Sequence, residues 1–385
     1  MTVDPDALRA RLRPTPEALR ASFERHQAEP HVSVEAHVRR LRLALAESVA
    51  KRSAVYLDTR YWIFLRDAAL KCPQQPAHLE LLSALQERVA AGRAFCPLSA
   101  PTFLELLKQT IPESRRVVAA IVDELSLGVA LCDEHERMTR EIGYLLSKGP
   151  AGDSLSPIQS TVWVRLPYVL GAFYPSGTPF GAADELVMQK AFTDHLWDRS
   201  LTDIVMTLDG SVPPEGYDAI AKRLNASNAT HADEVGTFEQ TYLAEIGGAL
   251  ELFAPFSTDL VEAKMKAELG DSIDLSRTTR SEREKNAHMI LVNVARAGKG
   301  AVAFPTLHAQ AKCHAAIRRD KRRKLEGNDL VDFHHAIGAV VYCDAFLTER
   351  PLHTFITTNP VALDREFDCK VLSDGLEALK YVRAL

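Results

Sequence analysis

The 385-residue chain contains no long apolar run. A membrane-spanning helix needs about 18 or more consecutive apolar residues, and the sequence has no such stretch. The first residues, Met1 to Pro5, also lack the basic and then apolar pattern of a signal peptide. We therefore expect a cytoplasmic protein with no membrane partner.

Closely spaced cysteines are also absent. The six cysteines are far apart and lie mostly within apolar stretches: Cys72, Cys96, Cys132, Cys313, Cys343 and Cys369. No pair has the spacing of a zinc knuckle or a redox motif. We interpret all six as reduced core residues.

Several well-known catalytic motifs are missing as well. The sequence has no glycine-rich phosphate loop, no HExxH, no Gly-x-Ser-x-Gly and no dinucleotide-binding fingerprint. The formal net charge is -5, so the overall charge does not predict a polyanionic partner. A nucleic-acid partner would have to bind a local basic patch.

What the chain does contain is a repeated pattern of short apolar runs that lead into helices. With 46% hydrophobic residues, the chain can bury a large core in two or three structural units. The runs at 53–57, 93–98 and 128–132 are rich in strand formers, and helix-like segments follow each of them. This pattern predicts an α/β fold with a parallel sheet.

The other segments complete the expected organisation. Residues 1–50 are predicted to form an N-terminal helical extension, and residues 148–284 a mainly helical insertion. The α/β domain then comprises residues 51–147 and 285–385. Within its second part we expect strands at 301–304, 345–347 and 353–357 and helices at 307–324 and 329–342.

Acidic residues occur where ligands usually bind in such folds. In parallel α/β sheets, ligands collect outside the carboxyl ends of the strands. Asp58 directly follows the first predicted strand, and Glu105 lies early in the helix after the second. A buried carboxylate at such a position is costly unless it is paired or binds a metal.

A third acidic group lies between Asn328 and Glu349. Asp329 and Asp332 are three residues apart, which places them on one face of the predicted helix. Asp344 and Glu349 flank the strand predicted at 345–347. Several carboxylates converging at one sheet edge need a cation, and oxygen ligands suit Mg²⁺ or Mn²⁺. Such a site is typical of phosphoryl chemistry.

Each acid also has a simpler interpretation. Asp58 and Asp329 are equally well explained as helix N-caps, and Glu105 as the partner of Lys108 in a surface ion pair. His334 and His335 follow Asp332, but histidines on a helix are more often structural than metal-binding. The combination of acids, rather than any single one, favours a metal site.

A basic segment precedes the acidic helix. Six of the seven residues from 318 to 324 are cationic: Arg318, Arg319, Lys321, Arg322, Arg323 and Lys324. Such a segment is usually a solvated helix face, but this one is too one-sided for a balanced surface. We predict that it contacts nucleic-acid phosphates beside the metal site.

Taken together, the acidic motifs resemble those of PIN-like nuclease domains. They are Tyr56-Leu-Asp58-Thr59, Phe103-Leu-Glu105-Leu, Asp332 followed by His335, Tyr342-Cys-Asp344 and Phe346-Leu-Thr-Glu349. In that family, one acid ends the first strand, a second lies on an early helix and a third opens a late helix. Asp58, Glu105 and Asp332 match these places. Asp344 is our choice for the fourth acid, with Glu349 and Asp329 as alternates.

The resemblance extends over residues 53–141 and 300–385. It implies a PIN-like (Rossmann-like) three-layer domain with a central parallel sheet, which here also carries the N-terminal extension and the insertion. It further implies an endoribonuclease that hydrolyses RNA phosphodiester bonds with Mg²⁺ or Mn²⁺. Such proteins act as toxins, defence effectors or RNA-processing enzymes, and the resemblance allows for a homodimer and a regulatory protein partner.

Two other functions are compatible with these residues. A catalytically silent PIN-like scaffold would bind RNA or a protein without cutting. A small-molecule phosphohydrolase would use Asp58 as its nucleophile, but Asp58-Thr59-Arg60 lacks the second Asp, two residues on, that the haloacid dehalogenase pattern requires. We rank the phosphohydrolase last.

Overall fold

The computed structural model of the protein describes residues 15–147, 157–207, 216–231, 236–269, 277–320 and 323–385. Most of these residues are helical, and the helices surround a small parallel sheet. The predicted α/β class is therefore confirmed. None of the described helices is long and apolar enough to cross a membrane.

The strands form two sheets. Within the described residues they are β1 (Ser53–Leu57), β2 (Ala94–Phe95), β3 (Val129–Leu131), β4 (Trp163–Arg165), β5 (Ala345–Leu347) and β6 (Lys370–Leu372). The main sheet has the order β2-β1-β5-β6, and all of its strand pairs are parallel. Strands β3 and β4 pair with each other in a second, antiparallel sheet.

The central pair, β1 and β5, fixes the edge at which the candidate site lies. Val55 pairs with Ala345 and Leu57 with Leu347, so both strands end side by side. The backbone N–H of Asp58 continues this ladder by donating to Leu347 O at 3.1 Å. Residues 55–57 are fully buried, as expected for a central strand with both faces covered.

The helices before β4 are α1 (Pro16–Ala28), α2 (Val34–Val49), α3 (Thr59–Ala69), α4 (Pro76–Ala90), α5 (Ala100–Leu107), α6 (Pro112–Ser126) and α7 (Glu134–Ser147). The central region has α8 (Ala182–Trp197), α9 (Leu201–Thr207), α10 (Asp218–Thr230), α11 (Phe238–Glu251), α12 (Ala254–Leu269) and α13 (Arg280–Arg296). The remainder are α14 (Gly300–Ala303), α15 (Pro305–Arg319), α16 (Gly327–Tyr342), α17 (Arg350–Thr357), α18 (Leu363–Glu366) and α19 (Gly375–Ala384).

Two predicted strands are wrong. Residues 301–303 fall on α14, where Val302 is 84% exposed, and Phe304 caps that helix and is fully buried in a hydrophobic core between helices. Residues 353–357 belong to α17, which starts with Pro351 in its first turn. Its buried residues, Leu352 and Ile356, are four apart, which is the helical period. The fourth strand of the sheet is β6, which the sequence analysis did not identify.

The third predicted strand is confirmed as β3, but it does not belong to the parallel sheet. Leu131 of β3 pairs with Trp163 of β4 in antiparallel orientation. The contact with the main sheet is a single parallel bridge from Ala130 to Leu98. The pairing partner of a three-residue strand is set by residues distant in sequence, which periodicity does not reveal.

Helices dominate the described parts of the predicted extension and insertion, and the insertion also contains strand β4. Helices α1 and α2 occupy most of residues 15–50, and residues 1–14 lie outside the described ranges. The predicted insertion contains α8 to α12, but α13 crosses its expected boundary at residue 284. The hydrophobic core around the main sheet also includes Trp163, Leu201 and Val205 of the insertion. The predicted segments therefore share a core.

A second hydrophobic core lies between α7, α11, α13 and α15. It includes Ile142, Ile246, Leu250, Leu291 and Ala315, which are all fully buried. This core joins two helices of the predicted α/β domain, α7 and α15, to α11 and α13. The long central region is thus packed against the α/β part along two separate apolar surfaces.

A buried lysine attaches the N-terminal helices to α8. Lys190 is fully buried, and its Nζ donates to the carbonyl oxygens of Glu29 at 2.9 Å and Val32 at 3.1 Å. These carbonyls belong to the turn between α1 and α2. These two charge-assisted hydrogen bonds compensate for the loss of solvation of the buried amino group.

We expect Lys190→Met to lower the free energy of unfolding by about 1–3 kcal/mol, because both carbonyl oxygens lose their donor. Urea unfolding followed by circular dichroism would measure the change, and limited proteolysis should cut more readily between α1 and α2. Lys222→Met, at an exposed position on α10, is the control and should change neither result. Equal stability of the Lys190 and Lys222 variants would contradict the proposed attachment.

Candidate active site

Asp58 lies at the carboxyl end of β1 and caps helix α3. Its Oδ1 accepts a hydrogen bond from Tyr61 N at 3.0 Å, and the residue is 6% exposed. Burial raises the pKa of the Asp58 carboxyl, and the nearby Thr348 hydroxyl and His335 ring only partly oppose this effect. The N-cap interpretation is therefore correct, and it does not account for the burial of the charge.

Glu105 lies on α5 and faces the same site. Its Oε2 accepts a hydrogen bond from the Thr59 hydroxyl and lies 3.0 Å from His335 Nε2. Burial acts to raise the pKa of Glu105, but His335 and Thr59 outweigh it, so the pKa lies below its ordinary value. The predicted surface pair with Lys108 is thus replaced by a half-buried interaction with histidine.

His335 orients Glu105 through a chain of hydrogen bonds. The ring is buried, with Nδ1 2.8 Å from Tyr56 Oη, which in turn lies 2.5 Å from Ser99 Oγ. If His335 donates from Nε2 to Glu105, its Nδ1 accepts from the Tyr56 hydroxyl. His335 therefore has the structural role that the sequence analysis favoured. His334 lies elsewhere, with Nδ1 2.5 Å from Glu134 Oε2.

Asp332 and Glu349 complete an acidic cluster with Asp58 and Glu105. Burial raises the pKa of Asp332 to about 7; His335 opposes this rise, whereas the charges of Asp58, Glu349 and Glu105 add to it. Glu349 follows β5, is partly exposed and pairs with Arg60 at 2.7 Å. Four carboxylates from four stretches of the chain thus influence one another at one sheet edge.

Asp344 does not belong to this cluster, so our first choice for the fourth acid is corrected. It precedes β5, and its Oδ2 accepts from Ala54 N, at the start of β1, at 2.7 Å. Asp344 and Glu349 are five positions apart in the sequence, which corresponds to roughly 16 Å along a strand. The two acids therefore lie at opposite ends of the sheet. Glu349, the alternate, occupies the expected place.

Asp329, the other alternate, is a helix cap. Its Oδ2 accepts from Glu326 N at 2.8 Å, which forms one half of a capping box at the start of α16. Its Oδ1 pairs with Arg323 at 2.6 Å. Both oxygens therefore have partners outside the acidic cluster.

Two further polar residues lie at this edge: Thr348, which is part of the Phe346-Leu-Thr-Glu349 motif, and Asp374, which the sequence motifs do not include. The Thr348 hydroxyl is buried and forms no well-aligned hydrogen bond with any described residue, although it lies near enough to Asp58 to favour its charged form. Asp374 follows β6 and caps α19 through Leu376 N and Glu377 N. Both residues follow a strand, and this position is the sequence signal for a residue at this edge. For Asp374 the signal was hidden because the sequence does not reveal the three-residue strand β6.

The residues of the acidic cluster fit a hard divalent cation such as Mg²⁺ or Mn²⁺. The donors are oxygens, and the charged form of the Asp332 carboxyl is destabilised by neighbouring acids. The carboxylates are nevertheless held apart, and among the described residues only His26, His37 and Asp194 bring three ligand atoms within 4.8 Å of one another. Repulsion between like charges favours such a separation.

A small pocket opens beside Glu105. Its volume is about 180 Å³, and its lining includes Glu105, Lys108, Tyr217, Asp218 and Asn328. The Lys108 charge is close enough to lower the pKa of Glu105. The pocket thus combines a cation and an aromatic ring next to the acidic cluster.

The basic segment is divided between several environments. Arg318 pairs with Glu245 on α11 at 2.8 Å, so its charge is already used within the protein. Arg323 pairs with Asp329 and lies 5.1 Å from the centre of the Phe355 ring. Arg319 and Lys324 are exposed, while Lys321 and Arg322 lie outside the described residues. The predicted helix 307–324 ends earlier, at Arg319.

Comparisons with models of protein families, with curated proteins and with solved structures found no match for this chain. Its function is therefore inferred from its own residues, from their geometry and from the resemblance of the acidic motifs.

We expect Asp332→Asn to stabilise the metal-free protein at pH 8. The pKa of Asp332 in the folded protein, about 7, lies above its ordinary value, so ionisation disfavours the folded state as pH rises through 7. Such a difference corresponds to about 4 kcal/mol for a fully buried group, and partial exposure reduces the expected gain to roughly 1–2 kcal/mol. Chemical unfolding in EDTA at pH 5 and pH 8 would measure it.

Asp329→Asn is the matched control, because it makes the same change one turn earlier on α16. Asp329 carries favourable contacts, so this variant should be no more stable than wild type at either pH. If the gain in stability of Asp332→Asn over wild type does not increase from pH 5 to pH 8, the four acids do not interact as described.

Proposed function

We propose that the protein is a metal-dependent endoribonuclease of the PIN-like type, which hydrolyses RNA phosphodiester bonds. The proposal depends on one observation, the convergence of Asp58, Glu105, Asp332 and Glu349 at the carboxyl edge of β1 and β5. Mg²⁺ or Mn²⁺ bound there would activate water and stabilise charge on the phosphate.

The chain's own residues have separable roles in this proposal. Asp58 and Asp332 are the buried and half-buried acids whose charge is most in need of a cation. Glu105 is held in one orientation by His335 and Thr59. The buried Thr348 hydroxyl lies beside Asp58 and favours its charged form.

The cations near the start of α16 support a polyanionic substrate. Arg323 is attached to Asp329, one helical turn before Asp332, and Lys324 is exposed beside it. Lys108 lines the pocket beside Glu105, together with Tyr217 and with Asn328 at the start of α16. Cations near the acids suit the phosphates of a polyanionic substrate, and an aromatic ring can stack on a base.

A catalytically silent PIN-like scaffold is the second candidate function. It is favoured by the ion pair between Arg60 and Glu349, which already neutralises one of the four acids. A silent site would bind little metal, whereas an active one should be stabilised by Mn²⁺.

Through the family resemblance, the proposal also includes a biological role as a toxin, a defence effector or an RNA-processing enzyme. It further includes a homodimer and a regulatory protein partner.

We expect Asp58→Asn to lower Mn²⁺-dependent RNA cleavage by about 100-fold or more, because it removes a buried ligand charge. Asn is also a good N-cap, so helix α3 should be retained. Cleavage of a pool of transfer, ribosomal and messenger RNA with Mn²⁺, Mg²⁺ or EDTA is the measurement.

The matched control for this experiment is Asp344→Asn. It makes the same substitution next to β5 but at the opposite end of the sheet, and it should cleave like wild type. Cleavage that survives in Asp58→Asn, or that is lost equally in both variants, would falsify the assignment of this edge. Absence of cleavage and of Mn²⁺ stabilisation in the wild type would favour the silent scaffold.

The exposed basic residues should contribute to RNA binding through phosphate contacts. We expect the double variant Arg319→Ala and Lys324→Ala to bind RNA more weakly in EDTA, and the slope of log K against log salt should decrease by about 0.7 for each lost contact. Filter binding at several salt concentrations would measure this slope. Arg318→Ala removes a cation that pairs with Glu245 and should leave the slope unchanged. If the slope changes as much for each residue removed in Arg318→Ala as in the double variant, the assignment of the exposed residues is wrong.

A further inference from the structure

A second cluster of metal-binding side chains lies far along the chain from the acidic residues. His26 on α1, His37 on α2 and Asp194 on α8 bring their ligand atoms within 4.8 Å of one another. His26 is 2% exposed, His37 is 8% exposed and the Asp194 side chain is 16% exposed. Three helices therefore direct two imidazoles and one carboxylate to a common, largely buried point.

The contacts within this cluster converge on the carboxylate. His26 Nε2 lies 2.8 Å from Asp194 Oδ2, and His37 Nε2 lies 2.8 Å from Asp194 Oδ1. The Ser22 hydroxyl donates to Oδ2 at 2.7 Å. The two rings meet edge to face with their centres 4.7 Å apart. Each histidine therefore directs the same ring nitrogen toward one small region.

Hydrogen bonds do not fully account for the burial of His26. Its other ring nitrogen, Nδ1, is buried and has no hydrogen-bond partner in the described residues. The ring has therefore lost solvation that protein contacts replace at one nitrogen only. Coordination of a metal ion at Nε2 would replace the single hydrogen bond by a stronger interaction, with the ring proton then on Nδ1.

The ligand set and its spacing suit a transition metal. Two imidazole nitrogens and one carboxylate oxygen are a common three-ligand set for Zn²⁺, whereas Mg²⁺ prefers oxygen donors alone. Tetrahedral Zn²⁺ with bonds of about 2.0–2.1 Å separates neighbouring ligand atoms by roughly 3.3 Å. The observed N to O distances of 2.8 Å would have to lengthen by about half an ångström, which small side-chain rotations allow.

The surroundings leave room for a fourth ligand. A cavity of about 330 Å³ borders the cluster, and its lining includes Ser22, Arg25, Asp194, His195 and Asp198. Water from this cavity can complete a tetrahedral site. Arg25 lies 3.4 Å from Asp194 Oδ2, and its side chain is 61% exposed, so it can move into solvent when a cation binds.

We propose that His26, His37 and Asp194 form a Zn²⁺ site that attaches the N-terminal helices α1 and α2 to helix α8. The site uses nitrogen ligands and stands apart from the oxygen-rich acidic cluster, so the two should select different metals. Zn²⁺ would bind the folded arrangement only, because the three ligands come from separate helices. Its binding should therefore stabilise the protein.

The test is Zn²⁺ binding by the full chain after treatment with a chelator. We expect one Zn²⁺ per chain by elemental analysis after gel filtration, and Co²⁺ should give visible absorption of a tetrahedral site. His37→Gln and Asp194→Asn should lose both signals. His195→Gln, which changes the neighbouring histidine on α8, should retain them, and so should Asp58→Asn.

Two further measurements separate ligand loss from misfolding. His37→Cys, which replaces one zinc ligand by another, should still bind Zn²⁺, and circular dichroism should show that the variants remain helical. Removing Zn²⁺ from wild type should lower the melting temperature and expose the segment between α1 and α2 to protease. No bound Zn²⁺ at micromolar concentration, or equal binding by wild type, His37→Gln and Asp194→Asn, would overturn the site. Because RNA cleavage is not measured, this outcome is independent of the proposed nuclease.

Discussion

The parallel pairing of β1 with β5 is the interaction on which the candidate active site depends. The two strands are distant in sequence, and their register of Leu57 opposite Leu347 makes them end together. Asp58 then lies beside Thr348 and Glu349, while α16, which leads into β5, brings Asp332 and His335 to the same edge. A shift of one residue in this register would turn Tyr56 to the other face of the sheet and break its hydrogen bond to His335.

The electrostatics of this edge oppose the stability of the fold. Asp332 ionises with difficulty because burial and three neighbouring acids disfavour its charge. The protein compensates with neutral and basic partners: His335 and Thr59 hold Glu105, and Arg60 holds Glu349. Such an arrangement is expected where a site is built to bind a cation or a polyanion rather than to maximise stability.

The N-terminal helices are joined to the remainder of the protein by polar contacts as well as by Leu45, Ala46 and Val49 of α2, which belong to the main hydrophobic core. Lys190 donates to the turn between α1 and α2, and Asp194, one helical turn later, receives His26 and His37. Directional contacts of this kind define a single orientation of the helices more strictly than apolar burial alone. Helix α8 therefore carries both of these polar attachment points, Lys190 and Asp194, which are four residues apart.

The sequence by itself determined the α/β class and the strands β1 and β5 with the helix α16, and it singled out Asp58, Glu105 and Asp332 as candidates, because apolar runs and the acids that follow them are local features. It left the fourth acid open between Asp344 and Glu349, and only the direction of β5 in the sheet decided for Glu349. Strand β6, the helix α17 and the cluster of His26, His37 and Asp194 were also beyond its reach. Each depends on contacts between residues far apart in the chain, and such contacts leave no periodic pattern in any one segment.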